Sequence, residues 1–320
     1  MNVFEFTERP DRRLFVGGHD PNDLRMKAIV KHLLRDYEYS QIVILGCPDD
    51  EGIIRNQGRP GARRSPREIR REFYKLAASN GINGLGIMDL GDVLLGSTLE
   101  ETHSRLRGVV GRILKDGKMA IVLGGGNDIS YPDCAALMEV EEDALVFNID
   151  KHFDVRDISP RNSGTAYRQL LDEGFIDPER FYEIGSEEFA NSPKYLDYLN
   201  RRGVTVYSLY ALRSYGIKKL FQDTINQLKP KAIFWGFDLD AVRDSDAPGV
   251  SASYPTGLTA AEIIRIAQVA GEETKAGVVE FTEVNPDVDI DNRTSKLVAI
   301  LMHTFLTAKV KSWGFGSIEE

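Results

Sequence analysis

Asp150, His152 and Asp154 stand two residues apart in DKHFD, and Asp238 and Asp240 repeat that spacing in DLD. Along an extended segment, a spacing of two turns side chains to the same side. Four carboxylates and one imidazole gathered in this way suit two divalent cations held mostly by oxygen. Manganese fits that mixture better than zinc, which takes more nitrogen or sulfur. Two such cations can bridge one water, lower its pKa and present hydroxide at neutral pH. The plainer reading makes both motifs loop polar residues and helix caps, and either motif alone favours it. Both together, each at the end of an apolar run, favour the metal reading, because carboxylates collected at strand ends need a neutralising cation. Glu283, in TEVNP after a third such run, is placed to accept from a cationic substrate group. Local backbone donors before Pro286 are the competing explanation.

The elements that must position these groups are legible as alternating patterns. Seven short, β-branched runs read as strands buried on both faces: 41–46, 119–124, 144–149, 180–185, 204–209, 232–238 and 277–284. Between them the spacing predicts helices over 66–76, 99–115, 165–172, 217–228, 260–270 and about 291–309. Such alternation predicts an α/β fold with one parallel sheet between helical layers. Ligands in such sheets bind beyond the carboxyl ends of the strands. That is where GGGND (124–128), DKHFD (150–154), DLD (238–240) and EVNP (283–286) fall. No repeat or linker divides the chain. Residues 39–320 are expected to form a single domain, with 1–38 as an N-terminal extension packed on it. Gly17-Gly18-His19 reads as a turn, not a metal motif.

Composition narrows the class. The 320 residues are 42% hydrophobic and 28% charged, ordinary globular usage with ample material for a core. The net charge is −9, which gives no basic footprint for nucleic acid. The local basic stretch RPGARRSPREIRR (59–71) reads as a solvated helix face with a preceding loop. Two distant cysteines, Cys47 and Cys134, exclude a CxxC zinc site and a disulfide framework. No apolar run reaches the length of a membrane span, and MNVFEFTERPDRR lacks the basic-then-apolar order of a secretory signal. A cytoplasmic protein with no membrane or nucleic-acid partner is expected.

The order GGGND, DKHFD, GFDLDAVRDSDAPGVS (236–251) and EFTEVNP (280–286) resembles the ureohydrolase superfamily of arginases, agmatinases and formimidoylglutamases. The likeness runs over about residues 40–300. DDEGIIRNQGRPGARRSPREIRREF (49–73) and NSGTAYRQL (162–170) are most similar to the formimidoylglutamase branch. The resemblance implies an arginase-like three-layer α/β/α sandwich around a mostly parallel sheet of eight strands. It implies two Mn²⁺ per chain. Asp150 and Asp238 would bridge both ions, Asp154 and residue 127 would complete the first, and His152 and Asp240 the second. The implied catalytic residues are Asp154, hydrogen-bonded to the bridging hydroxide, and Glu283, which grips the amidino group. Arg156, Ser163, Gly164 and Arg168 are the further substrate contacts expected. The implied reaction is hydrolysis of N-formimidoyl-L-glutamate to L-glutamate and formamide, in histidine degradation, by a homotrimer or homohexamer.

Three departures from the family pattern stand out. Asn127 occupies the place of a ligand histidine; an amide oxygen can ligate manganese more weakly, Asp128 offers a substitute, and Asn127 could instead cap the next helix. Lys151, between two ligands, should point away from them and pair with a carboxylate. Tyr167 stands where arginases carry a histidine, which argues against arginine as substrate. Two other readings therefore stay open at the level of sequence: another amidino or guanidino substrate, and a metal-poor, non-catalytic homologue.

Overall fold

The computed structural model describes residues 3–17, 20 and 22–315; Gly18 and His19 of the expected turn lie outside them. Nine strands are formed among the described residues: β1 (Thr7–Glu8), β2 (Ile42–Gly46), β3 (Ile87–Val93), β4 (Met119–Leu123), β5 (Ala144–Ile149), β6 (Phe181–Ser186), β7 (Thr205–Ser208), β8 (Ala232–Asp238) and β9 (Ala276–Thr282). They lie in one sheet in the order β1-β3-β2-β4-β9-β8-β5-β6-β7. Eight run parallel, and only the two-residue β1 is antiparallel, against β3 at the edge. The sheet thus has the eight parallel strands expected, plus one short edge strand that Thr-Glu alone could not signal.

Strand alternation splits the core into two layers. Ile42, Ile44, Phe147, Ile149, Trp235 and Phe237 face a cluster shared with the helices Ser65–Phe73, Leu209–Tyr215, Ile217–Leu228, Ala260–Glu272 and Arg293–Ser312. Val43, Leu45, Val122, Val146 and Phe234 face the opposite cluster, with Leu99–Lys115, Ser130–Val140, Ala166–Asp172 and Pro193–Arg202. The N-terminal segment joins both: Met26 and Val30 in the first, Val3 in the second.

The sequence pattern misses β1, β3 and the helices Ser130–Val140, Pro193–Arg202 and Leu209–Tyr215, and two of these escape it for clear physical reasons. The run of β3 is interrupted by Asp89, Gly91 and Asp92, yet Asp89 is fully buried. It is held by Arg70, whose Nε lies 2.8 Å from Asp89 Oδ2 while Nη1 lies 2.5 Å from Asp92. Arg70 is therefore a buried ion-pair partner, which corrects the reading of 59–71 as solvated throughout; Arg63, Arg64, Arg67 and Arg71 are exposed. The helix Ser130–Val140 is buried from Ser130 to Met138, so it has no polar stripe to reveal its period.

The order of the sheet places the chemistry. β4, β9, β8 and β5 are consecutive neighbours at its centre. The chain leaves them at Gly124, Glu283, Asp238 and Asp150, so four separate motifs meet at one carboxyl edge.

Candidate metal centre and substrate cleft

Asp150 follows β5, its amide still paired to the sheet through Ile184 O at 3.0 Å. Beyond it the segment 150–154 does not stay extended as the spacing suggested: it bends at Lys151–His152 and reaches a positive φ at Asp154, and a side chain, not a strand, holds it. Asn191 Nδ2 donates to Lys151 O at 2.8 Å, and Asn191 Oδ1 accepts from Phe153 N at 3.0 Å. One amide thus mimics a strand neighbour for the odd residues and leaves Asp150, His152 and Asp154 on the other side. Asn191→Ala should lower Mn²⁺ affinity about 10- to 100-fold, the usual scale for a residue that orients ligands. A Mn²⁺ titration monitored by calorimetry reads that change; unchanged affinity would show that the segment holds its shape alone.

Two groups of ligand atoms form, each drawn within 4.8 Å: Asp150 with His152 and Asp240, and Asp150 with Asp154 and Asp238. Asp150 belongs to both. His152 Nδ1 stands 3.2 Å from Asp240 Oδ2 and 3.5 Å from Asp150 Oδ1. Asp240 N donates to Asp238 Oδ1 at 2.8 Å, which fixes the DLD turn. Asp154 and Glu283 adopt positive φ, 47° and 63°, at non-glycine positions, the kind of strain that collects at functional sites. Glycine admits the β4 loop: a Cβ at Gly125 would collide with the carbonyl of Asp49.

The electrostatics call for a cation. Burial pushes Asp150, Asp238 and Glu283 up, and Asp240 adds repulsion to each. Burial and the Asp150 charge push Asp154 up to about 8. His152 moves up as well, because Asp240 and Asp150 outweigh the burial that opposes its charge. Carboxylates so crowded hold protons in place of a positive ion. Oxygen donors in two groups sharing one carboxylate, with one imidazole, fit two hard divalent cations of the manganese type.

Asn127 sits among them. Its Nδ2 lies 2.7 Å from Asp154 Oδ2 and 3.4 Å from Asp150 Oδ2. Its Oδ1 accepts from Ser130 Oγ at 2.8 Å and Thr282 Oγ1 at 3.0 Å. The side chain does not cap the following helix. Asp128 is no substitute ligand: its Oδ2 is 2.7 Å from His103 Nε2, on the far side of the loop. Lys151 points away as strand alternation requires, with Nζ 3.1 Å from Thr256 O, 4.0 Å from Glu187 and over the Tyr254 ring.

A cleft of about 550 Å³ opens over the cluster, lined by His152, Asp154, Asp238, Asp240 and Glu283 at its floor. Arg156 and Ser163 line its wall, with Gly164 packed beneath the Arg156 side chain. Glu283 Oε1 accepts from Asn127 N at 2.8 Å, leaving its second oxygen for a ligand. Arg168 is not part of the cleft. Its guanidinium is engaged by Asp172 at 2.5 Å and Asp157 at 3.3 Å and stacks on Tyr198, which corrects its expected role as a substrate contact. Tyr167 is also elsewhere, buried and stacked on Phe181 in the second core cluster. Asn56, Gln57, Arg59, Asn191, Ser192 and Tyr195 line the cleft without having been singled out from sequence. Their one signal was position, since 191–195 lie just beyond the carboxyl end of β6.

A sequence model described as "Arginase family" matches residues 40–307. The chain belongs to the arginase family. Among curated members, the formimidoylglutamase of Staphylococcus haemolyticus is 33% identical over 269 residues, 82% of this chain and 85% of that protein. Among solved members, Trypanosoma cruzi formiminoglutamase with Mn²⁺ superposes with a TM-score of 0.84 at 31% identity, covering 90% of this chain and 99% of that one. The formimidoylglutamase of Bacillus subtilis gives a TM-score of 0.86 at 24% identity, a likeness of fold. The arginase-family fold therefore accounts for the meeting of the four motifs, and membership makes this chain an enzyme of hydrolytic C–N chemistry.

Proposed function

We propose that this arginase-family hydrolase cleaves the linear amidine of N-formimidoyl-L-glutamate, adding water to give L-glutamate and formamide. The observation that carries the proposal is a pair of acid clusters sharing Asp150, beneath a cleft with Glu283 at its floor and Arg156 on its wall. The names of its relatives support the same substrate. Asp150, Asp154, Asp238 and Asn127 would hold one Mn²⁺, and Asp150, Asp238, His152 and Asp240 the other. Ions bound there would supply Lewis acidity and lower the pKa of a bound water.

The chain's own groups do the rest. Glu283 offers its free oxygen to the amidinium nitrogen and turns the electrophilic carbon toward the cluster. Asp154 accepts the proton of the attacking water and delivers it toward the departing amine. Arg156, exposed at the rim and without an ion-pair partner among the described residues, binds a carboxylate of the substrate through parallel N–H donors. Ser163, beside it, adds a hydroxyl. Agmatine, with no carboxylate, would leave Arg156 unused. Glutamate release from N-formimidoyl-L-glutamate by Mn²⁺-loaded protein tests the proposal. Two bound ions without release would transfer it to another amidino compound.

The arginines give a sharper expectation. Arg156→Ala should reduce kcat/KM about 10- to 100-fold, chiefly through KM, as loss of one charge-assisted contact costs about 1.5–3 kcal/mol. Arg168→Ala should leave KM within about twofold, since its surface ion pairs contribute only about 0–1 kcal/mol to stability. Steady-state kinetics on the two variants separate them; equal losses would return Arg168 to the cleft. We also propose that the enzyme is a cytoplasmic homo-oligomer, a trimer or hexamer, which light scattering on the purified protein would test. Among the described residues no helix is long and apolar enough to cross a membrane.

A further inference from the structure

Behind Asn127 lies a chain of buried polar groups that the hydrolysis itself does not use. Ser130 Oγ is 2.8 Å from Asn127 Oδ1 and 2.5 Å from Glu280 Oε1. Glu280, on β9, is fully buried and faces Asp133 on the helix Ser130–Val140, which is fully buried too. Neither Asp133 oxygen, nor Glu280 Oε2, has a hydrogen-bond partner among the described residues. Asp133 and Cys134 from that helix, Asp128 from the preceding turn and Tyr167 from Ala166–Asp172 are the titratable groups around Glu280. No Lys or Arg bonds to either carboxyl among the described residues.

Proton counting makes this arrangement informative. Two oxygen–oxygen contacts of 2.8 and 2.5 Å flank Ser130, and each needs a hydrogen between its atoms. Ser130 supplies one. With Asn127 Oδ1 toward Ser130, the other must come from a protonated Glu280, and the Asn127 amide then points its N–H toward Asp154 and Asp150. With the amide turned over, Nδ2 brings its own hydrogen to Ser130, and Ser130 donates to an ionised Glu280. Oδ1 then faces Asp154 and Asp150, where three oxygens converge around a cation. The first state suits a metal-free site and the second a ligating Asn127.

We propose that Glu280, acting through Ser130 and backed by Asp133, is a positioning residue that sets which end of the Asn127 amide faces the cluster, so that ligation of the first metal by Asn127 expels the Glu280 proton. Burial supports a proton on this carboxyl near neutrality, pushing it up to about 7, although the neighbouring Asp133 and Ser130 side chains oppose the shift. Below that pH, one proton must leave for each ion that Asn127 ligates. First-site affinity then weakens by about tenfold per pH unit from this group alone, beyond any slope from the ligands themselves.

The inference rests on the metal centre of the proposed function, and the experiment separates the two. Calorimetric titration with Mn²⁺ alone, from pH 5.5 to 8.5 and in buffers of different ionisation enthalpy, gives site affinities and protons released. Wild type is compared with Glu280→Gln, whose carbonyl accepts from Ser130 without a proton, and with Ser130→Ala, which cuts the relay and spares both acids. In both variants the first site should still fill, with about one fewer proton released and a pH slope lower by about one. An unchanged slope and proton count in Ser130→Ala, or loss of its first site with the second intact, would overturn the relay. If Glu280→Gln does not fold, Ser130→Ala decides. Failure of wild type to bind Mn²⁺ at any pH would instead overturn the metal centre itself.

Discussion

Asp150→Asn is expected to abolish turnover and, in the metal-free protein, to raise the melting temperature. Asp150 is fully buried and is the residue common to both ligand groups, so removing its charge weakens both sites together. Activity should fall by more than about 1,000-fold, the scale expected when an activated water is lost. Without metal the sign reverses for stability. Asp150 stands within ligand distance of Asp154, Asp238 and Asp240, and burial with the Asp240 charge already pushes its carboxyl up. A neutral amide of the same shape relieves that repulsion while keeping an acceptor for His152 N, bonded to Asp150 Oδ1 at 2.7 Å. Relief of this kind at a functional site stabilises by about 0.5–2 kcal/mol. Adding Mn²⁺ at 1,000 times its Kd should stabilise wild type by about 4 kcal/mol and the variant hardly at all. The order of melting temperatures therefore inverts on addition of metal, which thermal scans with EDTA and with Mn²⁺ can read. A variant that keeps two Mn²⁺ per chain and turns over would remove Asp150 from the centre.

How legible the protein was in its sequence follows from what each residue advertises. β8 reads directly from AIFWGFD because it is buried on both faces and carries no polar interruption before Asp238. β3 does not, because Asp89 is neutralised by Arg70 from a helix about twenty residues earlier, and no local pattern shows a tertiary ion pair. The helix Ser130–Val140 hides for the opposite reason, having no solvent face at all. The metal-site residues were readable because ligation demands particular residue types gathered just beyond the carboxyl ends of strands, although their spacing of two falls in a bend and a short 3-10 turn and not in extended chain. The cleft wall was only half readable. Arg156 is in the cleft and Arg168 is not, although both are arginines near the same motifs, because Asp172, one turn along the same helix, captures Arg168. Asn191 had no chemical signature; its role depends on meeting 151 and 153 across a loop.

The metal-free protein should lose stability as pH rises from about 4 to about 8, and Mn²⁺ should abolish that loss. Asp154 titrates near 8 in the fold against 3.8 in the open chain, and Glu280 near 7 against 4.5. Both values are raised on folding, so in that window the folded chain holds protons that the unfolded chain has released. Each step up in pH then favours unfolding, and the contribution present below pH 4 is gone above pH 8. Asp150, Asp238 and Glu283 are shifted in the same direction by burial and mutual repulsion, and they deepen the effect. Surface carboxylates act in a separate window. Glu100 beside Arg55 and Glu262 beside Arg213 are held down near 2, so their stabilisation is lost only as pH falls from about 4.5 toward 2. The metal-free optimum should accordingly sit near pH 4–5, unusually acidic for a protein of this size. Mn²⁺ binds the ionised forms, so its stabilisation grows with pH over the same range in which the bare cluster weakens. Melting temperatures of EDTA-treated and Mn²⁺-saturated protein, measured from pH 4.5 to 8.5, should therefore diverge steadily. Two parallel curves would mean that the cluster keeps its charge without a cation, and the electrostatic argument for the metal centre would fall.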